Sequence, residues 1–261
     1  MTEGFFICFV AGWLKTGDSS ELTIASNRDE FVDRQGQPPE LWSDGSHRVL
    51  SPRDPRKGGT WIGVNEEGVF AALTNKLDSD YLEDAPSRGQ LIRSLLEEAG
   101  NREEANTLYD ELDPSRFNPF WLLVADSRGL TIKHHGRDLD EQFVHQGGPF
   151  FLSNQSGFIN EEDRLISVLP DIGPLEAAEK TDRLEAFCAS HQPLFERDSH
   201  CLHADIAGTL SSSIIRLNTD GEFSYRFSQG PPCENDYQSI EVPVSFRREV
   251  ISKWDREDAK V

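Results

Sequence analysis

The sequence predicts an α+β domain of layered sheets and helices. Three observations carry that expectation. Strand-like and helix-like segments come in blocks, with strands, two helices, strands, two helices and strands again, rather than as a regular βαβ alternation. No internal repeat, low-complexity tract or linker divides the chain. Its 261 residues are enough to bury a sizeable core. A single domain over residues 1–246 is expected, followed by a charged tail, frayed or helical, over 247–261.

Each element has a local reason. Residues 4–13 and 21–26 read as a hairpin across Gly17-Asp18-Ser19-Ser20. The Pro-, Gly- and Asp-rich stretch 33–58 reads as a long ordered loop. Gly58 to Val64 and Gly68 to Thr74 form a second strand pair across Asn65-Glu66-Glu67. A helix starts at Ser87, a capping residue, with Leu91, Ile92, Leu95, Leu96 and Ala99 at helical spacing and Gly100 after its end. Residues 102–111 form a second helix, stopped before Pro114. Strands follow at 120–126 and 129–135, and a short one at 150–153. Helices over 161–169 and 175–189 are separated by Pro170 and Gly173-Pro174. The last strands, 211–217 and 223–227, flank the turn Asn218-Thr219-Asp220-Gly221.

Charge and cysteine usage exclude whole function classes. Net charge is -20, a surface that repels nucleic acid and anionic membranes, since phosphate binding needs clustered Lys and Arg. No run approaches the roughly 18 apolar residues of a membrane span. Met1-Thr2-Glu3-Gly4 carries no basic region or small-residue cleavage site, so no signal peptide is expected. Cys8, Cys188, Cys201 and Cys233 form no C-x-x-C pair. Reduced thiols and a cytoplasmic location are expected.

Candidate chemistry centres on Asn27-Arg28-Asp29-Glu30. This polar run stands where the strand Leu22-Thr23-Ile24-Ala25-Ser26 should end. Cys8, across the hairpin, is by default a small buried hydrophobe. Beside the Arg28 guanidinium its thiol pKa would fall and it could act as a nucleophile, with Asp29 orienting a base or amine. Gly59-Thr60-Trp61 reads either as a tight bulge or as backbone approaching a ligand. Asn75 and Asn154 each end a strand-like run, where an amide can donate to an oxyanion. Adjacent His134 and His135 point to opposite faces of a strand and share no metal. His200 and His203 flank Cys201, with no further ligand evident nearby, so no metal site is expected. G-x-G-x-x-G, Walker A, H-E-x-x-H and G-x-S-x-G are absent.

These residues resemble the pattern of the NRDE family, which includes the eukaryotic transport-and-Golgi-organisation proteins. The carrying residues are Ser26-Asn27-Arg28-Asp29-Glu30, Gly58-Gly59-Thr60-Trp61-Ile62-Gly63, Ala72-Leu73-Thr74-Asn75, Ser87-Arg88-Gly89 and Phe117-Asn118-Pro119-Phe120. Leu152-Ser153-Asn154, Thr209 to Ser213 and Gly230-Pro231-Pro232-Cys233 complete the set, across nearly the whole chain. The family in turn resembles N-terminal-nucleophile hydrolases of the penicillin V acylase and bile salt hydrolase type. That implies a four-layer αββα sandwich. It also implies a cysteine nucleophile whose own free amine is the base, because an α-amine titrates at about 7.7–8.0 and an amide nitrogen cannot take a proton. Carried over by motif, the catalytic set is Cys8, Arg28, Asp29, Asn75 and Asn154, with Asn27, Glu30, Gly59, Thr60 and Trp61 as binding or shaping residues.

Two departures stand out. Family members place the cysteine directly after the initiator Met, whereas here Met1 to Ile7 precede Cys8. Either a cut between Ile7 and Cys8 frees the amine, or the start is misplaced, or the protein is not a hydrolase. Leu210 stands where many members have Arg. The resemblance therefore implies one of two functions, both with a small-molecule substrate or ligand, no nucleic acid and no membrane insertion. One is a cysteine amidohydrolase or acyl transferase without cofactor. The other is a non-catalytic carrier of haem or acyl chains (lipid or acyl-CoA). It would use Trp61, Trp121, Phe120 and Phe151 as an apolar lining and His203 or Cys201 on haem iron.

Overall fold

Side chains alternate across a strand, and in this chain both faces of the strands are covered. Phe120-Trp121-Leu122-Leu123-Val124 is buried at every position. The computed structural model describes residues 8–16, 20–76, 82–136, 139–172, 175–194, 200–218 and 223–254. In chain order its first strands are β1 (Phe9–Lys15), β2 (Glu21–Phe31), β3 (Gln37–Trp42), β4 (Val49–Arg53), β5 (Ile62–Asn65) and β6 (Phe70–Asn75). Helices α1 (Arg88–Glu98) and α2 (Arg102–Glu111) follow, then β7 (Phe120–Asp126), β8 (Gly129–His135), β9 (Asp140–His145), β10 (Gly148–Ser153) and β11 (Gly157–Ile159). The chain continues with α3 (Glu162–Leu165), α4 (Ala177–Ala189), β12 (Ala207–Asn218), β13 (Phe223–Gln229), β14 (Gln238–Ser239) and α5 (Val244–Trp254).

The strands form two antiparallel sheets. One runs β11-β10-β1-β2-β12-β13-β14 and the other β3-β4-β5-β6-β7-β8-β9. Between them lies the central core, where Val10, Leu14, Leu22 and Ile24 meet Ile62, Val64, Phe70 and Leu123. The outer face of the second sheet packs Ala71, Leu73, Phe120 and Leu122 against α1 and α2. The outer face of the first packs Phe9, Ala11, Ala25 and Phe151 against α3 and α4. The layers are α, β, β, α, as expected.

The bounds of α2, β7 and β8 match the sequence reading, and α1 starts directly after Ser87, although the Ser87 side chain makes no capping bond. Three readings are corrected. Residues 33–58 are not a loop, because β3 and β4 lie there. β3 is an edge strand, which tolerates Pro38 and Pro39. β9 and β11 were not anticipated. The expected helix over 161–169 is a single turn, α3. The tail is helical through Trp254, one of the two forms expected, and Phe246, Val250 and Trp254 join the central core. The first and last hairpin turns (17–19 and 219–221), Gly173-Pro174 and residues 4–7 lie outside the described residues. No described helix is long and apolar enough to cross a membrane.

Candidate functional site

Asn27-Arg28-Asp29-Glu30 does not end a strand. The motif lies inside β2, with β1 on one side and β12 on the other. Asn27, Arg28 and Asp29 are 1%, 6% and 3% exposed. A polar run survives at this depth only if each group finds partners. Strand alternation sends those partners in two directions.

One face looks toward the second sheet. Cys8, immediately before β1, lines a pocket of about 40 Å³ together with Arg28, Glu30, Trp61, Leu73, Thr74 and Asn75. Its Sγ donates to the backbone oxygen of Asp29 at 3.2 Å. The Arg28 guanidinium lies over the Trp61 ring, 4.4 Å from its centroid, donates to Arg34 O at 3.0 Å and faces Glu30 at 3.6 Å. Burial pulls the Arg28 pKa down and Glu30 pulls it back up, with a net lowering. Arg34 bridges Glu30 (2.9 Å) and Asp54 (2.8 Å). Burial pushes the Asp54 carboxyl up, but the bond and charge of Arg34 outweigh it and hold its pKa below the usual range.

The thiol is not activated in the intact chain, which corrects the expectation from sequence. Desolvation, then Asp29 and Glu30, push its pKa up to about 12, and the lowering by Arg28 is outweighed. At neutral pH Cys8 is a protonated thiol.

The other face looks toward α4. Asn27 Nδ2 donates to Cys188 O at 2.9 Å and to His200 O at 2.7 Å, tying β2 to α4 and to the segment before β12. Asp29 Oδ1 accepts from Thr209 Oγ1 at 2.6 Å, and Thr209 Oγ1 accepts from Leu202 N at 2.9 Å. Opposite this pair, β12 slips register between Thr209 and Ser211, leaving Leu210 as the bulged residue. Asn27 thus pins two elements rather than shaping a turn, and Glu30 holds a cation pair.

The structure brings together some of the remaining candidates and separates others. Asn75 lines the pocket at the end of β6. Asn154 reaches Cys8 through the backbone, N to O at 3.4 Å. Gly59 approaches protein backbone rather than a ligand, since a Cβ there would lie 2.3 Å from Gly89 C, at the start of α1, and Thr60 N donates to Gly89 O. Gly58 takes φ +68°, a left-handed turn that favours glycine. The four aromatic residues expected to line a carrier pocket fall in different layers. Trp61 is at the Cys8 pocket and Trp121 packs in the central core, while Phe120 lies under α1 and α2 and Phe151 under the α3–α4 face. His134 stacks on Trp121 at 4.3 Å and His135 faces Asp140, on opposite sides as anticipated.

The expectation that no ligand accompanies His200, Cys201 and His203 is overturned. His191 and Cys233 converge on Cys201 and His203. His200 turns away, with Nδ1 on Gln192 O and its ring against Phe187. The Cys201-x-His203 spacing was the available signal. The other two members are 10 and 32 positions from Cys201, beyond what spacing alone reveals.

Comparison with known proteins agrees with this fold. A family model described as Transport and Golgi organisation 2 matches residues 7–230. The Homo sapiens Transport and Golgi organization protein 2 homolog is 27% identical over 236 residues, covering 78% of this chain and 84% of the human one. The Mus musculus homolog is 31% identical over 140 residues, 51% of this chain. The chain spans about half the length of the mouse and Bos taurus relatives that it matches. Among solved structures, a Caenorhabditis elegans N-acylethanolamine-hydrolyzing acid amidase ortholog superposes with TM-score 0.53 at 14% identity, over 80% of this chain and 92% of that one. A variant of the conjugated bile acid hydrolase from Clostridium perfringens gives 0.52 at 10% identity, over 88% and 92%. These likenesses establish the N-terminal-nucleophile hydrolase fold.

Proposed function

The chain belongs to the Transport and Golgi organisation 2 family, and from that premise we propose that it is a cysteine amidohydrolase or acyl transferase of the N-terminal-nucleophile type, acting on a small amide. The observation that carries this reading is the seat of Cys8. Its sulfur lies 3.2 Å from Asp29 O, in one pocket with Arg28 and Asn75. The fold likeness to amide hydrolases at 10–14% identity supports the architecture and no more.

The raised thiol pKa specifies what the site lacks. A protonated thiol needs a base within proton-transfer reach, and chain connectivity supplies one once the bond between Ile7 and Cys8 is broken. The α-amine of Cys8 would then titrate at about 7.7–8.0. The family match itself begins at residue 7, next to this bond. With the amine free, it takes the thiol proton and the sulfur attacks the substrate carbonyl. Amide donors from Asn75 and Asn154 stabilise the oxyanion. The tetrahedral intermediate collapses as the α-ammonium returns its proton to the leaving amine, giving a thioester on Cys8. Water, deprotonated by the same α-amine, then releases the carboxylic acid and restores the thiol, while an acceptor amine in place of water makes the reaction an acyl transfer. Arg28 lowers the cost of the thiolate, and Asp29 O orients the sulfur. Four free cysteines support a reducing compartment such as the cytoplasm as its setting.

A haem or acyl-chain carrier would need one apolar cavity lined by its aromatic candidates, and those candidates are divided between the Cys8 pocket, the central core and the two outer faces. The hydrolase reading is therefore the better supported.

Intact mass of the protein in fractions that hydrolyse a panel of small amides tests it. The expected active species lacks residues 1–7 and begins at Cys8. A full-length mass in active protein would sink the N-terminal-nucleophile mechanism.

A further inference from the structure

A second cluster of reactive side chains stands apart from Cys8, on the α4 side of the same sheet. It draws on three chain segments. His191 follows the C-cap of α4, Cys201 and His203 precede β12, and Cys233 follows β13. One ligand atom from each lies within 4.8 Å of the others. The sulfurs of Cys201 and Cys233 are 3.5 Å apart, Cys201 Sγ is 3.6 Å from His203 Nε2, and His203 Nε2 is 3.0 Å from Cys233 Sγ. The His191 and His203 rings lie 5.2 Å apart, centre to centre.

These spacings are close to those of a tetrahedral metal shell. Bonds of about 2.3 Å to sulfur and about 2.0–2.1 Å to nitrogen put two sulfurs about 3.8 Å apart and a sulfur–nitrogen pair about 3.6 Å apart. Two thiolates and two imidazoles are the donor set of zinc-class ions. Four protein ligands also close the coordination sphere, the mark of a structural rather than a catalytic site.

The backbone around the cluster is held in place. Cys201 N donates to Ser190 O at 3.0 Å, joining the loop to the exit of α4. Leu202 and Thr209 exchange bonds of 2.9 Å, Leu202 N to Thr209 Oγ1 and Thr209 N to Leu202 O. On the third segment, Glu234 N and Asn235 N both donate to Pro231 O at 3.0 Å, and Gly230 N donates to Leu210 O. His203 turns Nε2 inward and Nδ1 toward Glu234 Oε1 at 3.7 Å. A carboxylate behind a ligating imidazole fixes its orientation and raises its basicity.

We propose that His191, Cys201, His203 and Cys233 form a binding site for one zinc-class divalent cation, which staples the α4 exit, the segment before β12 and the turn after β13. The staple anchors the surface that β2 grips, because Asn27 bonds His200 O next to Cys201 and Asp29 bonds Thr209 at the start of β12, which the same segment enters. The site does not depend on any activity of Cys8.

The test uses the full chain, reduced, desalted without oxygen and titrated with cobalt(II). One equivalent should produce intense visible ligand-field bands of a tetrahedral ion and a near-ultraviolet thiolate-to-cobalt charge-transfer band, both abolished by zinc. Cys233→Ser and His203→Gln should lose or displace these bands, and Cys8→Ala, on the other face, should keep them. At a hundredfold excess over Kd, zinc should raise the thermal midpoint by roughly 5–10 °C. If a ligand variant fails to fold, the wild-type charge-transfer band still decides. Its absence in reduced protein overturns the proposal. So does a band that persists in Cys233→Ser, or protein whose mass remains two hydrogens low after reductant because Cys201 and Cys233 stay joined.

Discussion

The two faces of β2 use one four-residue motif for opposite purposes. Toward the second sheet, Arg28 and Glu30 leave a small pocket around a thiol that is poorly ionised in the intact chain. Toward α4, Asn27 Nδ2 and Asp29 Oδ1 bond neighbouring segments. Period-2 alternation lets four consecutive polar residues line the candidate pocket with one pair and anchor neighbouring segments with the other. The chemical face should govern turnover, and the anchoring face should govern stability.

The largest effect should come from the chemical face. In protein that begins at Cys8, Cys8→Ala should lower turnover of an amide substrate by roughly 10⁵–10⁶-fold, the scale on which loss of a nucleophile acts. Its urea midpoint should stay near wild type, and a large fall would show that the thiol is mainly packing. On the anchoring face, Asn27→Ala leaves two buried carbonyls without their donor. It should cost about 2–4 kcal/mol in urea unfolding while acylation at Cys8 persists in the folded fraction. Equal losses in both measurements would erase the division between faces.

Arg28→Met removes the one cation that favours the thiolate. Turnover at neutral pH should fall by roughly 10- to 100-fold. Alkylation of Cys8 should need higher pH than in the parent, because burial and the charges of Asp29 and Glu30 raise its pKa and only the weaker bond to the Asp29 backbone is left to lower it. The smallest effect should be that of Arg34→Gln. Its side chain is about one-third exposed, so solvent replaces part of what it gives the largely buried Glu30 and Asp54 carboxylates, and stability should fall by about 1–2 kcal/mol.

What was legible in the sequence follows the same physics. β7, β8 and α2 could be bounded because apolar runs end at recognisable turn and cap residues, as at Asp126 to Gly129 and at Asn101, whose side chain accepts from Glu104 N. β3 was hidden because an edge strand can carry Pro38-Pro39 without losing ladder bonds. The polar motif looked like a strand end because its burial depends on partners more than 160 positions away, Cys188 and His200 for Asn27 and Thr209 for Asp29. Cys8 and Arg28 could be paired from the hairpin alone. The sign of the thiol pKa could not, since it depends on how deeply the second sheet covers the sulfur. The His191–Cys233 cluster needed the topology, because β12 and β13 bring the end of β13 back beside the loop after α4.

The central claim is that Cys8 is dormant until its own amine is free. Intact-mass measurement of acylation by a thiol-directed acyl probe, on chains 1–261 and 8–261 side by side at pH 7, tests it most directly. The account predicts a single acyl addition on the chain that begins at Cys8, absent in its Cys8→Ala variant, and negligible addition at that residue in the longer chain. Equal acylation of Cys8 in both chains would contradict it.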